Sequence, residues 1–213
     1  MNGPYRLILA DPPWAYRNGG RGAARNHYPT MSTPAICALE VDGVPVAQLA
    51  HPDSVLILWA TNTHVPDALE VLQAWGFEWK TMLPWIKTLD APAVDLFGEL
   101  DAKPAMGGGF WVRGCSEPIL IATRGHAKAS APADRFLGLL AERLRHSRKP
   151  EHVYQLAEVF PGPRLELFAR YARPGWDCWG NEVEAGPGSA LATNAAPALV
   201  AGCSTFCICK SSG

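Results

Sequence analysis

Short apolar runs closed by proline, glycine or charge recur along the chain, separated by stretches of helical periodicity. Residues 6–10 (RLILA) form one such run, stopped by Asp11-Pro12-Pro13, and residues 54–60 (SVLILWA) form a second. Runs this short, rich in branched residues and ended by breakers, predict buried strands. After the second run Val65, Ala68, Leu69, Leu72 and Trp75 return at helical spacing until Gly76 offers a stop, which predicts an amphipathic helix. Residues 78–87 alternate loosely around Pro84, and residues 118–123 (PILIAT) are strongly β-prone, so both read as strands. Residues 88–112 mix Asp, Pro and Gly without a sustained period and read as a long loop. Two further helices are expected over residues 134–144, with Phe136, Leu137, Leu140 and Leu144 on one face, and over residues 150–160, with Val153, Leu156, Ala157 and Phe160. Residues 164–168 (RLELF) and 175–180 close the pattern as extended pieces. Strands alternating with helices predict an α/β fold, a mostly parallel sheet with helices on both faces. From about residue 185 the chain is Ala, Gly, Pro, Ser and Thr with almost no charge, so we divide it into a folded domain over 1–184 and a flexible tail over 185–213.

Composition supports a folded domain. The 213 residues, 48% hydrophobic and 18% charged, have the apolar content to bury about 70% of the unfolded surface. No run reaches the ~18 apolar residues of a membrane span, and no leader is evident, so a soluble, cytoplasmic protein with free thiols is expected. The net charge of −1 argues at first against a nucleic-acid partner. It is a cancellation, however: residues 39–102 hold 2 Lys and 10 Asp or Glu, whereas residues 113–173 hold 11 Lys or Arg against 6 acids, and residues 1–38 hold 4 Arg against one Asp. A local basic face could therefore engage phosphates while the whole chain stays near neutral.

The densest chemistry is Asp11, Pro12, Pro13 and Trp14, directly after the first strand, where open α/β sheets place ligands. This tetrapeptide suits the exocyclic amine of a planar base. The lone pair of such a nitrogen is delocalised into the ring, so it attacks poorly until acceptors hold its N–H groups. The Asp11 carboxylate can take one and the Pro12 carbonyl the other, while two prolines fix φ and stiffen that carbonyl's aim. Trp14 offers a flat face, stacking on which is worth about 1–3 kcal/mol per base.

Several ordered blocks then resemble one family: LILADPPWAY (7–16), HYPTMS (27–32), WIKT (85–88), HSRKPEHVY (146–154) and RLELFARYARPGWDCWGNE (164–182). Over about residues 7–182 the chain resembles the adenine N6 methyltransferases named after the seventy-kilodalton subunit of the eukaryotic messenger-RNA adenosine methyltransferase, in its bacterial or phage form. The resemblance implies a Rossmann-like, S-adenosylmethionine-dependent methyltransferase fold in permuted motif order. It implies that Asp11, Pro12, Pro13 and Trp14 hold the target amine, that Asp11 also nears the cofactor's amino group, and that Lys149 receives its carboxylate. It further implies that Arg170, Asn181 and Glu182 hold the ribose hydroxyls and that Tyr28 lies in the loop closing over the base. S-adenosylmethionine is then the cofactor, and DNA the favoured substrate. The same reaction on RNA, or a silent nucleic-acid-binding subunit, are the alternatives, and a protein partner or homo-oligomer fits either.

Other conspicuous residues read as structural. Trp59, Trp75, Trp79, Trp85 and Trp111 are expected to be core or loop anchors. Glu166 stands inside a strand and is not assigned to the site. No metal is expected: the histidines show no paired helical spacing, and Cys203, Cys207 and Cys209 sit in the tail.

Overall fold

The structure, a computed structural model, describes residues 3–16, 30–94, 100–108, 111–128, 139–143, 148–181 and 183. Its centre is a seven-stranded sheet. The strands are β1 (Tyr5–Ala10), β4 (Ala50–Trp59), β5 (Glu78–Thr88), β8 (Ser116–Arg124), β9 (Leu139–Glu142), β10 (Arg164–Leu167) and β11 (Asp177–Trp179), in the spatial order β11-β10-β1-β4-β8-β5-β9. β1 pairs parallel to both β4 and β10, β10 to β11 and β5 to β9, while β8 runs antiparallel to β4 and β5. With helices on both faces, this is the mostly parallel, Rossmann-like α/β sheet that the sequence predicts.

Side-chain alternation along the strands sorts the core into two layers. On one face Ile8, Ala10, Leu56, Leu58, Leu120, Leu165 and Leu167 pack with α3 (Val65–Ala74) and with Ile36 of α1 (Thr33–Cys37). On the other, Leu7, Leu9, Ile57, Trp59, Leu83, Trp85 and Ile119 pack with Val153, Leu156 and Ala157 of α4 (His152–Glu158). Both faces of the sheet are covered, which explains why β1 from Leu7 and β4 from Val55 are written as unbroken apolar runs. α3 ends as its sequence predicts: Gly76 takes φ +78°, its N–H reaches the Gln73 carbonyl at 3.0 Å, and the Phe77 N–H reaches Leu72 at 2.8 Å.

One expected element is corrected. Within the window read as a helix over residues 134–144, Leu139–Glu142 is a strand, paired in parallel with Trp85–Thr88. Its burial alternates with period two, Leu139 and Ala141 facing the α4 layer, and the Trp85 indole donates to the Ala141 carbonyl at 3.1 Å. An apolar run this short carries no decisive period, and the open edge of β5 settles its state. The loop over 88–112 contains two short paired strands, β6 (Ala93–Val94) and β7 (Leu100–Asp101), and returns two backbone bonds to the end of β5 through Lys103 and Ala105. The sequence also did not announce α1, the small pair β2 (Glu40–Val41) and β3 (Val44–Pro45), or α2 (Val46–Leu49). Of the tryptophans, Trp59, Trp75 and Trp85 are core, whereas Trp79 and Trp111 are 51% and 97% exposed. No described helix is long and apolar enough to cross a membrane. The tail from 185, with its cysteines, lies outside the described residues.

Candidate active site

β1 is the point at which the sheet's order reverses, with β4 on one side and β10 on the other, and a crevice opens at the carboxyl ends of these strands. Alternation decides what reaches it. Leu9 faces the α4 layer, so Asp11, two residues on, projects from the same side. Trp59 of β4 and Glu166 of β10, flanked by the oppositely directed Leu165 and Leu167, do likewise. Because β8 is reversed, its first residues lie at this same end, and Glu117 arrives on the face of Ile119 and Ile121.

The Asp11-Pro12-Pro13-Trp14 turn is fixed from within. The Trp14 N–H donates to the Pro12 carbonyl at 2.9 Å, and the Met31 N–H to the Pro13 carbonyl at 2.8 Å. The Trp14 indole is 5% exposed, donates from Nε1 to the Trp59 carbonyl at 3.1 Å, and stacks on His64 with ring centres 5.6 Å apart. His64 in turn meets Tyr16 edge-on. Trp14 thus anchors the turn to β4, leaving Asp11 to face the cavity.

Four alternating charges cross the floor: Lys87, Glu117, Lys149 and Asp11. Lys87 Nζ donates to Glu117 Oε1, Lys149 Nζ lies 2.9 Å from Glu117 Oε2, and Lys149 Nζ lies 3.1 Å from Asp11 Oδ1. Lys149 also sits over the Trp59 ring, 4.8 Å from its centre. Burial pushes the Asp11 carboxyl upward; Lys149 opposes this and Glu117 adds to it, so Asp11 stands above the ordinary aspartate value. Burial acts the same way on Glu117, but Lys149 and Lys87 outweigh it and hold that carboxyl low. Burial disfavours the Lys149 ammonium, yet Asp11 and Glu117 raise its pKa above that of a free lysine. Replacing Glu117 by Gln removes one negative neighbour of Asp11 and leaves Lys149 to Asp11 alone. The Asp11 pKa is therefore expected to fall, measured by carbon-13 carboxyl NMR titration; a rise would contradict this electrostatic order.

Beyond Asp11 lies a cavity of about 300 Å³, lined among others by Leu9, Trp59, Arg148, Lys149, Glu166 and Arg170. On its wall the Tyr154 hydroxyl donates to Glu166 Oε1 at 2.8 Å. Phe168, where β10 turns into the cavity wall, takes the left-handed φ of +62°, an uncommon conformation for a bulky residue that also occurs at ligand sites. Gly180 is obligatory for close approach: a Cβ there would lie 2.2 Å from the Ala169 carbonyl oxygen, beside the bond from the Ala169 N–H to the Trp179 carbonyl.

Asp11, Lys149 and Arg170, expected from the sequence, therefore meet in one cavity. Asn181 stands exposed two residues past β11 and is not among the lining residues. Tyr28 and Glu182 lie outside the described residues. Sequence reasoning missed Glu117 and Tyr154, read Trp59 as a structural anchor, and noted Glu166 as a strand-interior carboxylate without assigning it to the site. The only available signal was a carboxylate in each of two apolar strands, SEPILIAT and RLELF.

The family model described as MT-A70 matches residues 5–182. The Type II methyltransferase M.MunI of a Mycoplasma species is 26% identical over 197 residues, covering 84% of this chain and 78% of its own. The N6-methyladenosine RNA methyltransferase MTA1 of Cryphonectria parasitica is 31% identical, covering 84% of this chain and 52% of its own. The human N(6)-adenine-specific methyltransferase METTL4 is 29% identical, covering 84% of this chain and 37% of its own.

Proposed function

The chain belongs to the MT-A70 family, and we propose that it transfers a methyl group from S-adenosylmethionine to the exocyclic N6 of adenine in DNA. The observation that carries this reading is the Asp11 carboxylate, fixed at the sheet's switch point beside Lys149 and facing a mixed-charge cavity. DNA is preferred because M.MunI is matched over most of both chains, whereas MTA1, named for RNA, is matched over about half its length.

The donor set suits the cofactor. Its amino-acid end is a zwitterion, and the cavity offers the Lys149 ammonium to its carboxylate and Asp11 to its ammonium. Two of the three Lys149 donors are directed at Glu117 and Asp11, and the third remains for that carboxylate. Arg170 lines the same cavity and is assigned to the ribose, and Phe168 and Tyr171 bring aromatic surface for a purine. The lining carries Arg148, Lys149, Arg170 and Arg173 against Asp11, Glu151 and Glu166, so it offers partners to both charges of the amino-acid end.

When bound, the cofactor supplies a methyl group already activated by its sulfonium, so no enzyme nucleophile is required. The chain's own work is positioning and electrostatics. Asp11 accepts one N–H of the flipped-out adenine's amine, the second lone pair of the Pro12 carbonyl accepts the other, and the Pro12-Pro13-Trp14 turn holds both acceptors still. As the nitrogen becomes positive, the Asp11 carboxylate stabilises it, and the proton then released passes to Asp11 or to water.

Methyl transfer from tritiated cofactor to matched DNA and RNA oligonucleotides tests the reading. Label on adenine N6 of DNA is the expected result. Label in RNA alone transfers the assignment to RNA, and label in neither counts against both.

A further inference from the structure

The cofactor reading leaves one built feature of the cavity unused. Tyr154 is held on three sides: its hydroxyl donates to Glu166 at 2.8 Å, Arg173 lies 3.5 Å above the ring centre, and Trp176 packs edge-on at 5.7 Å. Arg173 is itself fixed by a two-pronged pair to Glu151, at 2.6 and 2.8 Å. Glu151, Tyr154, Glu166 and Arg173 all line the cavity, so this ring-and-clasp joins the start of α4 to the segment after β10 beside the ligand space.

The geometry points to Tyr154 as a positioning residue: by holding Glu166 Oε1, it aims Oε2 at the vicinal hydroxyls of the cofactor's ribose, with the Arg173–Glu151 pair clasping the tyrosine in place. This rests on the cofactor reading above. A carboxylate with one oxygen pinned and the other directed into a cavity is suited to a diol, which presents two donors at fixed separation. Burial and the nearby Glu166 push the Tyr154 hydroxyl far above its ordinary pKa, so it stays a donor across the working range. The segment over residues 149–154 then serves both ends of one ligand, Lys149 the amino-acid end and Tyr154, through Glu166, the sugar.

Tyr154→Phe keeps the ring between Arg173 and Trp176 and deletes only the hydroxyl. By calorimetry its dissociation constant for S-adenosylhomocysteine is expected to rise about tenfold, the scale of one hydrogen bond to a charged acceptor. The same change in a Glu166→Ala background is expected to cost less than twofold, because the tyrosine then has nothing to aim. An analogue lacking both ribose hydroxyls should bind the parent and Tyr154→Phe alike. That comparison does not depend on the Glu166→Ala protein folding. Equal losses in both backgrounds, no loss in the parent background, or a loss that persists with the deoxygenated analogue would overturn the positioning role and leave the methyltransferase reading standing. Failure of the parent protein to bind S-adenosylhomocysteine at all would remove both.

Discussion

Asp11→Asn is expected to reduce methyl transfer about 10³-fold, with a fold that survives. Asn is nearly isosteric, and Lys149 keeps Glu117 as a partner at 2.9 Å, so no cation is left alone. What changes is the sign of the contact with the target nitrogen. A carboxylate accepts an N–H and draws the amine toward positive charge. An amide offers half the acceptor capacity, can present donors of its own, and supplies no counter-charge. Losing one preorganised electrostatic contact in an enzyme site costs about 10²–10³ in rate, and here the group both orients the nucleophile and balances the charge that develops. Single-turnover transfer at saturating cofactor measures the effect, with S-adenosylhomocysteine affinity as the control for binding. A decrease below tenfold would show that Asp11 is not the acceptor. The parent enzyme also carries a pH signature: because burial raises Asp11 above the ordinary aspartate value, its rate should fall on acidification earlier than a free aspartate would dictate, and this acid limb should vanish in the Asn variant.

The parts of the fold legible in the sequence were those decided locally. Breakers closed β1 on both sides, and a full helical period with Gly76 at its end defined α3. Asp11 could be placed because it directly follows a strand, whereas Lys149, three residues ahead of α4, was assigned only through the resemblance carried by HSRKP. The remaining site residues depend on pairing that no local pattern encodes. Glu117 becomes part of the site only because β8 is reversed between β4 and β5; run in parallel, its start would lie at the opposite end of the sheet. β9 is a strand because β5 presents an edge to it, and the same leucines would satisfy a helix elsewhere. Glu166 was visible as a carboxylate in an apolar strand, but its use required knowing that α4, with Tyr154, covers that face and not the other. The charge arithmetic behaves similarly. The basic excess over residues 113–173 supplies Lys149, Arg170 and Arg173, yet Lys149 and Arg173 are paired with carboxylates inside the site. The excess is therefore partly neutralised within the site.

Lys149→Met should both unfold the protein more readily and abolish cofactor capture. Among the described residues Lys149 is the link between Asp11 and Glu117, whose side chains keep 26% and 17% of their exposure. Methionine fills the space over Trp59 but leaves two nearby carboxylates facing each other. Removing one partner of a buried ion pair costs about 3–5 kcal/mol, and the residual exposure here places the expected loss near 3 kcal/mol. The pH dependence follows from the shifts. Lys149, raised in the folded state, adds its stability fully below the ordinary lysine pKa and loses it only as alkaline pH passes the folded value, so the deficit of the variant is present throughout the neutral range. Glu117, lowered, adds stability above the ordinary glutamate value and loses it as pH falls through its folded value. Asp11, raised, works in the opposite sense, because protonation favours the folded form. Without Lys149 both carboxyls shift upward, and the variant should regain stability as the pH is lowered from 7 toward 5, where the parent gains less. Urea unfolding at these two pH values measures the difference. A variant destabilised equally at both, or one that still binds S-adenosylhomocysteine within threefold of the parent, would mean that Lys149 neither bridges the two acids nor meets the cofactor.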